Sequence, residues 1–121
     1  MGLAEKFTFT FAANEEVFAE GSEGSQMYLI ISGSVSIVKN TESGQRVLAT
    51  LGEGEIFGEM ALLDTGVRAA GAVAAADNTQ LMAIDQARFV YLVSQQPAFA
   101  LSVMRVMAKR IADLGVKLSC N

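Results

Sequence analysis

At the centre of the chain stands the stretch FGEMALLD, residues 57–64, and Arg68-Ala69-Ala70 follows after a short loop. Gly58 opens a predicted turn of helix, and an acid, Glu59, takes its first position. Free N–H groups at a helix start attract anions such as phosphate, and arginine adds a permanently charged, forked donor. A carboxylate would be repelled by that phosphate, so Glu59 is suited to accept hydrogen bonds from a sugar hydroxyl. The stretch therefore predicts a site for a small anionic ligand that also carries hydroxyls.

Short apolar runs broken by Gly, Asn, Asp and Ser fill the chain on both sides of this stretch, from Phe7 to Ala83. Many short strands at such spacing are typical of a β-sandwich or roll. The segments predicted as strands are residues 7–11, 27–31, 35–38, 47–51, 73–76 and 81–84, with a polar hairpin loop at 40–45. We therefore expect a mainly β fold with an apolar core.

The sequence pattern changes after residue 84. Asp85 is suited to cap a helix over about 85–95, and Pro97, the only proline, suits the first turn of a second helix over about 97–116. Apolar residues at alternating spacings of three and four form a stripe on the second helix; they are Met104, Met107, Ile111, Leu114 and Leu118. Two interpretations of the stripe stay open: it covers the roll of its own chain, or it pairs with a second copy or a protein partner. We treat residues 1–121 as one domain, with the roll over about 7–84.

Composition excludes several classes of function. The chain has no histidine, the usual metal ligand of enzymes built on β-rolls, and no nucleophile or general-base motif, so no catalytic residue and no metal site is predicted. A net charge of −4 without a long basic run argues against direct binding of nucleic acid. No apolar run reaches the length of a bilayer, and the N-terminus lacks a signal peptide, which predicts a cytoplasmic protein without membrane insertion. We expect a binding protein without a cofactor, not an enzyme.

Residues 57–70 resemble the phosphate-binding cassette of the cyclic nucleotide-binding domain, the family shared by catabolite-activator regulators, protein kinase A regulatory subunits and cyclic nucleotide-gated channels. Four other landmarks of that family lie in register, and the resemblance covers roughly residues 9–115; they are Phe18-Ala19-Glu20-Gly21, Met27-Tyr28-Leu29-Ile30, Ser32-Gly33-Ser34-Val35 and residues 51–57. A glycine-rich loop alone is a weak signal, whereas a cassette in register with four landmarks is specific. The resemblance implies an antiparallel jelly-roll β-sandwich, or double-stranded β-helix, with a short cassette helix and two C-terminal helices.

The resemblance also implies ligand contacts. Arg68 would bind the cyclic phosphate, Glu59 the ribose 2′-hydroxyl, and Gly58 would let the backbone approach the ligand. Met60 and Ala61 would offer backbone N–H groups to the phosphate. The remaining family contacts fall on Ala69 after the arginine, on Leu48 and Ala49 beside the base, and on Arg110 of the second helix. Leu48 and Ala49 are equally natural as core, and Arg110 as a solvated helix charge.

Three departures from the family pattern bear on the ligand. Val67 stands where many relatives have proline, and Gly71 where many have threonine or serine. Near Leu114-Gly115 the chain lacks the hydroxyl residues with which the catabolite-activator type reads adenine. Ala69 replaces the threonine that contacts guanine in members selective for cyclic GMP. The resemblance therefore implies cyclic AMP as the ligand, with cyclic GMP as the alternative.

Two functions stay open on these grounds. In the first, the chain is a non-catalytic cyclic nucleotide sensor, either standing alone or as part of a longer protein, whose C-terminal helix relays binding to a partner or second subunit. The chain ends without the helix-turn-helix domain of the catabolite-activator type. In the second, it is a ligand-free structural or protein-interaction module of the same fold. Intact Glu59 and Arg68 favour the sensor, whereas Val67 and Gly71 favour the module.

Overall fold

The computed structural model describes residues 7–63 and 66–119 of the protein, and for Leu63, Arg110 and residues 113–119 it describes the backbone alone. The described residues form eight strands and three helices. The strands are β1 (Thr8–Phe11), β2 (Glu16–Phe18), β3 (Gln26–Ser32), β4 (Val35–Thr41), β5 (Gly44–Leu51), β6 (Ile56–Phe57), β7 (Gly71–Ala74) and β8 (Thr79–Asp85). The helices are α1 (Glu59–Leu63), α2 (Gln86–Gln95) and α3 (Ala98–Ser119).

The strands form two four-stranded sheets, with the orders β1-β8-β3-β6 and β2-β7-β4-β5. Every neighbouring pair within them is antiparallel. The chain passes repeatedly from one sheet to the other, because β1, β3, β6 and β8 lie in the first sheet and β2, β4, β5 and β7 in the second. This winding confirms the predicted antiparallel jelly-roll sandwich.

Apolar side chains from both sheets meet in one core. Ile30 and Leu81 come from the first sheet, Val35 and Ala72 from the second, and Phe57 of β6 packs with them. Each is at most 1% exposed. Full burial of a large apolar side chain contributes about 1.5–3 kcal/mol, so this cluster fixes the two sheets against each other. Phe57 is also the first residue of the cassette, which therefore starts from a rigid strand.

The hairpin between β4 and β5 is tighter than predicted, so the predicted loop over residues 40–45 is wrong. β4 continues to Thr41 and β5 begins at Gly44, which leaves only residues 42–43 between them. The Thr41 hydroxyl donates to the Gly44 carbonyl at 2.6 Å, and Gly44 has a φ of 113° that favours glycine. The polar side chains of 40–45 resemble a loop because this end of the hairpin is exposed on both faces.

Strand β7 begins at Gly71, two residues earlier than the predicted strand, and ends at Ala74. Gly71 pairs with Val38, and a Cβ at Gly71 would lie only 3.1 Å from a Val38 methyl carbon. Glycine is ordinarily depleted in strands, which is why the pattern placed the strand later. Close approach of β4 and β7 explains the glycine here.

The described residues group into two compact units, divided after Gln86. In the second unit, the rings of Phe89 and Phe99 join α2 to α3 at a centroid distance of 5.7 Å. Pro97 precedes α3, and its carbonyl accepts a hydrogen bond from Ala100 N at 3.0 Å. Among the described helices, none is both long and apolar enough to span a bilayer.

Candidate anion-binding site

The loop between β2 and β3 fastens the backbone on either side of Arg68. Arg68 N donates to the Ser22 carbonyl at 2.8 Å, and Gly21 N donates to the Arg68 carbonyl at 2.7 Å. A bridge between Glu23 and Val67 continues this pairing. The arginine therefore enters the roll from a short piece of extended chain that is paired like a strand.

Backbone carbonyls and aromatic rings hold the guanidinium of Arg68, whose residue is only 5% exposed. Nη1 donates to the Gly58 carbonyl at 3.0 Å and Nη2 to the Gln26 carbonyl at 2.7 Å. Cζ lies 4.0 Å from the centroid of the Phe18 ring and 5.9 Å from that of Tyr28. Stacking on an aromatic face stabilises a desolvated guanidinium, so the group is fixed in position and orientation.

One N–H donor of this guanidinium lacks an acceptor among the described residues. Nε of Arg68 is buried and makes no hydrogen bond within the part of the chain that the structure describes. A buried donor without an acceptor costs about 1–3 kcal/mol, and more when it is charged. Nearly all buried polar groups in native proteins have a partner. The geometry is therefore suited to receive one further acceptor, and a negatively charged oxygen would satisfy it best.

Two glycines make room for the guanidinium. A Cβ at Gly24 would lie 2.5 Å from Nε and Nη2 of Arg68, and a Cβ at Gly58 would lie 2.7 Å from Nη1. Gly58 also has a φ of 78°, a conformation that residues with a side chain rarely adopt. Glycine is needed at both positions because the arginine occupies the space of a side chain.

Glu59 is the first residue of α1 and is 0% exposed. Burial lowers the pKa of the Arg68 guanidinium, and electrostatic interactions with Tyr28 and Glu59 act in the opposite direction. Burial also raises the pKa of the Tyr28 phenol, which keeps it neutral at physiological pH. Glu59 is therefore the negative charge that supports Arg68, and both charges lie away from water.

The other predicted contact residues lie in different surroundings. Met60 has an exposed side chain in the first turn of α1, whereas Ala61 is buried and its N–H donates to the Gly58 carbonyl at 3.3 Å. Leu48 and Ala49 belong to the edge strand β5 and are exposed, Leu48 by 52%, so the interpretation of these two residues as core is wrong. The side chain of Arg110 lies outside the described residues.

Several groups around the arginine carried no signal in the sequence. Gln26 contributes only its backbone carbonyl, so its side-chain identity reveals nothing. Lys39 donates from Nζ to the carbonyl of Ala69 at 2.8 Å across a separation of 30 residues. Phe18 stood within a family landmark, but only the folded chain places it and Gly24 against the guanidinium.

The antiparallel roll therefore buries an arginine and a glutamate beside a short helix, an arrangement suited to a small anion. The sequence profile of the cyclic nucleotide-binding domain family matches residues 8–96. The chain belongs to that family, which confirms the resemblance found in the sequence. The domains of this family are regulatory.

Known relatives match over nearly the whole chain. It is 37% identical over 109 residues to the cyclic AMP receptor protein of Thermus thermophilus, a match that covers 89% of this chain and 50% of that protein. The crystal structure of the Thermus thermophilus catabolite activator protein superposes with a TM-score of 0.83 at 34% identity, covering 97% of this chain and 56% of that one. The EAL enzyme Bd1971 in a cGMP-bound form gives a TM-score of 0.65 at 33% identity, covering 86% of this chain but only 28% of that one. The chain spans about half the length of the bacterial curated relatives that it matches.

Proposed function

We propose that the protein is a non-catalytic receptor for a cyclic nucleotide, with cyclic AMP as the preferred ligand. The observation that carries this proposal is the buried guanidinium of Arg68, whose Nε makes no hydrogen bond among the described residues. Its two Nη atoms are held by the Gly58 and Gln26 carbonyls, so an anion meets a donor that is already oriented. Preorganised donors bind more tightly because little freedom is lost on binding.

The cyclic phosphate would be the group that satisfies Arg68. A charge-assisted hydrogen bond contributes about 1.5–3 kcal/mol, which corresponds to about tenfold or more in affinity. The backbone N–H of Met60, in the first turn of α1, would add a second contact. Ala61 is the weaker of the two predicted backbone donors, because its N–H already donates to the Gly58 carbonyl.

Glu59 would accept a hydrogen bond from the ribose 2′-hydroxyl. Its carboxylate is buried and interacts electrostatically with Arg68, so it is suited to receive a neutral donor but not the phosphate. The proposed ligand therefore places its phosphate and its hydroxyl on neighbouring residues of opposite charge. This pairing favours a cyclic nucleotide over a free phosphate ion.

The proposal also covers the contacts to the purine base and the transmission of ligand binding to a partner. Leu48 and Ala49 would contact the purine, and Ala69, in place of a threonine, favours adenine over guanine. Binding would be relayed by α3 to a partner or a second subunit. Exposed apolar side chains are available on α3 for a partner or a second copy; they are Leu101, Met104 and Ile111. Such a relay requires the ligand to bind one position of the helix more tightly than another.

The test is isothermal titration calorimetry of nucleotide-free protein with cyclic AMP and with cyclic GMP. We expect saturable binding that prefers cyclic AMP and weakens at least about tenfold in Arg68→Ala. Arg105→Ala is the matched control, because it removes the same charge from an exposed position on α3. Absence of heat from folded protein with both nucleotides would contradict the proposal and leave the structural module as the function.

A further inference from the structure

A lysine of β4, the strand that pairs with β7, holds the chain directly after the arginine. Lys39 lies near the end of β4, and its Nζ donates to the Ala69 carbonyl at 2.8 Å. The loop between β2 and β3 already holds the preceding residue, through Arg68 N to Ser22 and Gly21 N to the Arg68 carbonyl. Two successive carbonyls, those of Arg68 and Ala69, are therefore each bound by a donor from a different element.

Lys39 is itself held in place. Its Nζ lies 3.1 Å from Oε2 of Glu20, and Oε1 of the same carboxylate accepts a hydrogen bond from Asn40 N at 2.8 Å. The Asn40 N–H and then Lys39 lower the pKa of the Glu20 carboxyl, which keeps it ionised. The side chains of Lys39 and Glu20 are 46% and 23% exposed. An exposed ion pair adds little stability by itself. The role of Glu20 is therefore to orient the Lys39 ammonium group towards the Ala69 carbonyl.

A hydrogen bond to a carbonyl also fixes the orientation of the N–H group in the same planar peptide unit. In a trans peptide, the C=O of one residue and the N–H of the next point in opposite directions. Gly21 on the Arg68 carbonyl therefore sets the direction of the Ala69 N–H. Lys39 on the Ala69 carbonyl sets the direction of the Ala70 N–H in the same way. These N–H groups belong to the two residues that follow Arg68, the arginine proposed to bind the phosphate.

We propose that Lys39 is a positioning residue of the anion-binding site, which fixes the Ala69–Ala70 peptide and thereby the loop that carries Arg68, while Glu20 holds Lys39. This inference rests on the proposed function for its ligand. Lys39 does not contact the phosphate; it acts through the Ala69 carbonyl. The chain around Arg68 is thus held by two separate segments, the loop after β2 and the end of β4.

The experiment compares Lys39→Met, which keeps the stem but removes the donor, with Lys39→Arg, which keeps a charged donor. Arg46→Met is the matched control, because Arg46 lies directly across from Lys39 in the β4–β5 register and is exposed. Calorimetry uses cyclic AMP and its two phosphorothioate diastereomers, which differ only in the exocyclic phosphate oxygen that sulfur replaces. Thermal unfolding of each variant shows whether the fold is retained.

We expect Lys39→Met to weaken cyclic AMP about three- to tenfold, the effect of one hydrogen bond, and to change the affinity ratio of the two diastereomers. Lys39→Arg restores most of the affinity, Glu20→Gln weakens binding less than Lys39→Met, and Arg46→Met binds like the unmodified protein. The diastereomer ratio is decisive, because a variant that only loosens the fold would weaken both diastereomers equally.

Three results would overturn the inference: unchanged affinity in Lys39→Met, an equal loss in Arg46→Met, or a loss without any change in the diastereomer ratio. Amide hydrogen exchange at Ala69 and Ala70 in the ligand-free protein gives a separate readout. If the unmodified protein bound neither nucleotide, the proposed function would fail. Exchange would then decide alone: faster exchange in Lys39→Met than in Arg46→Met supports the positioning role, and equal exchange rejects it.

Discussion

The two ends of the proposed ligand site are built in opposite ways. At the arginine end, Glu59 and Arg68 are buried, and the guanidinium is held by two carbonyls and an aromatic ring. At the base end, Leu48 and Ala49 lie on β5, an edge strand whose residues are exposed from Gly44 to Thr50. Among the described residues, no hydrogen bonds or ring contacts like those on Arg68 hold these two side chains.

This difference follows from the cost of burying charge. A buried ion destabilises the fold unless its hydrogen bonds are made, so the chain must provide several fixed partners for Arg68. Apolar side chains on an edge strand carry no such requirement and become covered only when a ligand lies on them. We therefore expect the phosphate and ribose to determine most of the affinity, and the base to add a smaller share.

The largest effect is expected from Glu59→Gln. The substitution keeps the shape but removes the charge that supports Arg68, and it replaces the charged acceptor proposed for the ribose with a neutral, weaker amide oxygen. We expect cyclic AMP to bind about tenfold or more weakly. The sharper measurement uses 2′-deoxy cyclic AMP, which lacks the hydroxyl: the preference for cyclic AMP over this analogue should become smaller in the variant, because a neutral acceptor binds the hydroxyl less strongly than a carboxylate. Glu23→Gln, at an exposed position, is the control, and an undiminished preference in Glu59→Gln would refute the hydroxyl contact.

Gly24→Ala tests whether the position of the guanidinium matters, apart from its presence. The new Cβ would lie 2.5 Å from Nε and Nη2 of Arg68, so the flexible tip of the arginine must shift. We expect about a tenfold loss of affinity with only a small change in the melting temperature, because a side-chain end can move without breaking the core. Gly52→Ala is the control, since its Cβ would meet only a carboxylate oxygen at 3.9 Å. Equal affinities of the two variants would contradict the preorganised arginine.

The smallest effect is expected at the base end. Leu48→Ala removes apolar surface that a purine would cover, which should weaken cyclic AMP only about threefold. Val90→Ala, on α2, truncates a similarly exposed apolar side chain outside the roll and should leave binding unchanged. Affinities for both nucleotides, measured by calorimetry, check this prediction. If Leu48→Ala lost as much affinity for cyclic AMP as Glu59→Gln, the arginine end would not determine most of the affinity.

The local parts of the site were predictable from the sequence. Gly58, Glu59 and Arg68 lie within a few residues of one another, so a short motif carries their arrangement, and the period of the strands indicated the roll. The hairpin over residues 40–45 was mistaken for a loop because a two-sided exposed edge strand shows no apolar alternation. Gly71 departs from the family pattern, and in the fold it allows β4 and β7 to approach closely.

The support around the arginine was not predictable for a different reason. Its contacts join residues far apart in the chain, such as Arg68 with the Gln26 carbonyl across 42 positions and Lys39 with the Ala69 carbonyl across 30. In both contacts the acceptor is a backbone carbonyl, which every residue possesses. Side-chain identity therefore gives no signal of the acceptor, and only the register of the sheets brings the partners together.

A crystal structure of the protein with bound cyclic AMP would show whether the arginine end of the site is preformed. We expect a phosphate oxygen within hydrogen-bond distance of Arg68 Nε, with Nη1 still on the Gly58 carbonyl and Nη2 still on the Gln26 carbonyl. A phosphate bound away from Arg68, or a guanidinium that has left both carbonyls to reach it, would show that the arginine is not a preformed anion-binding group.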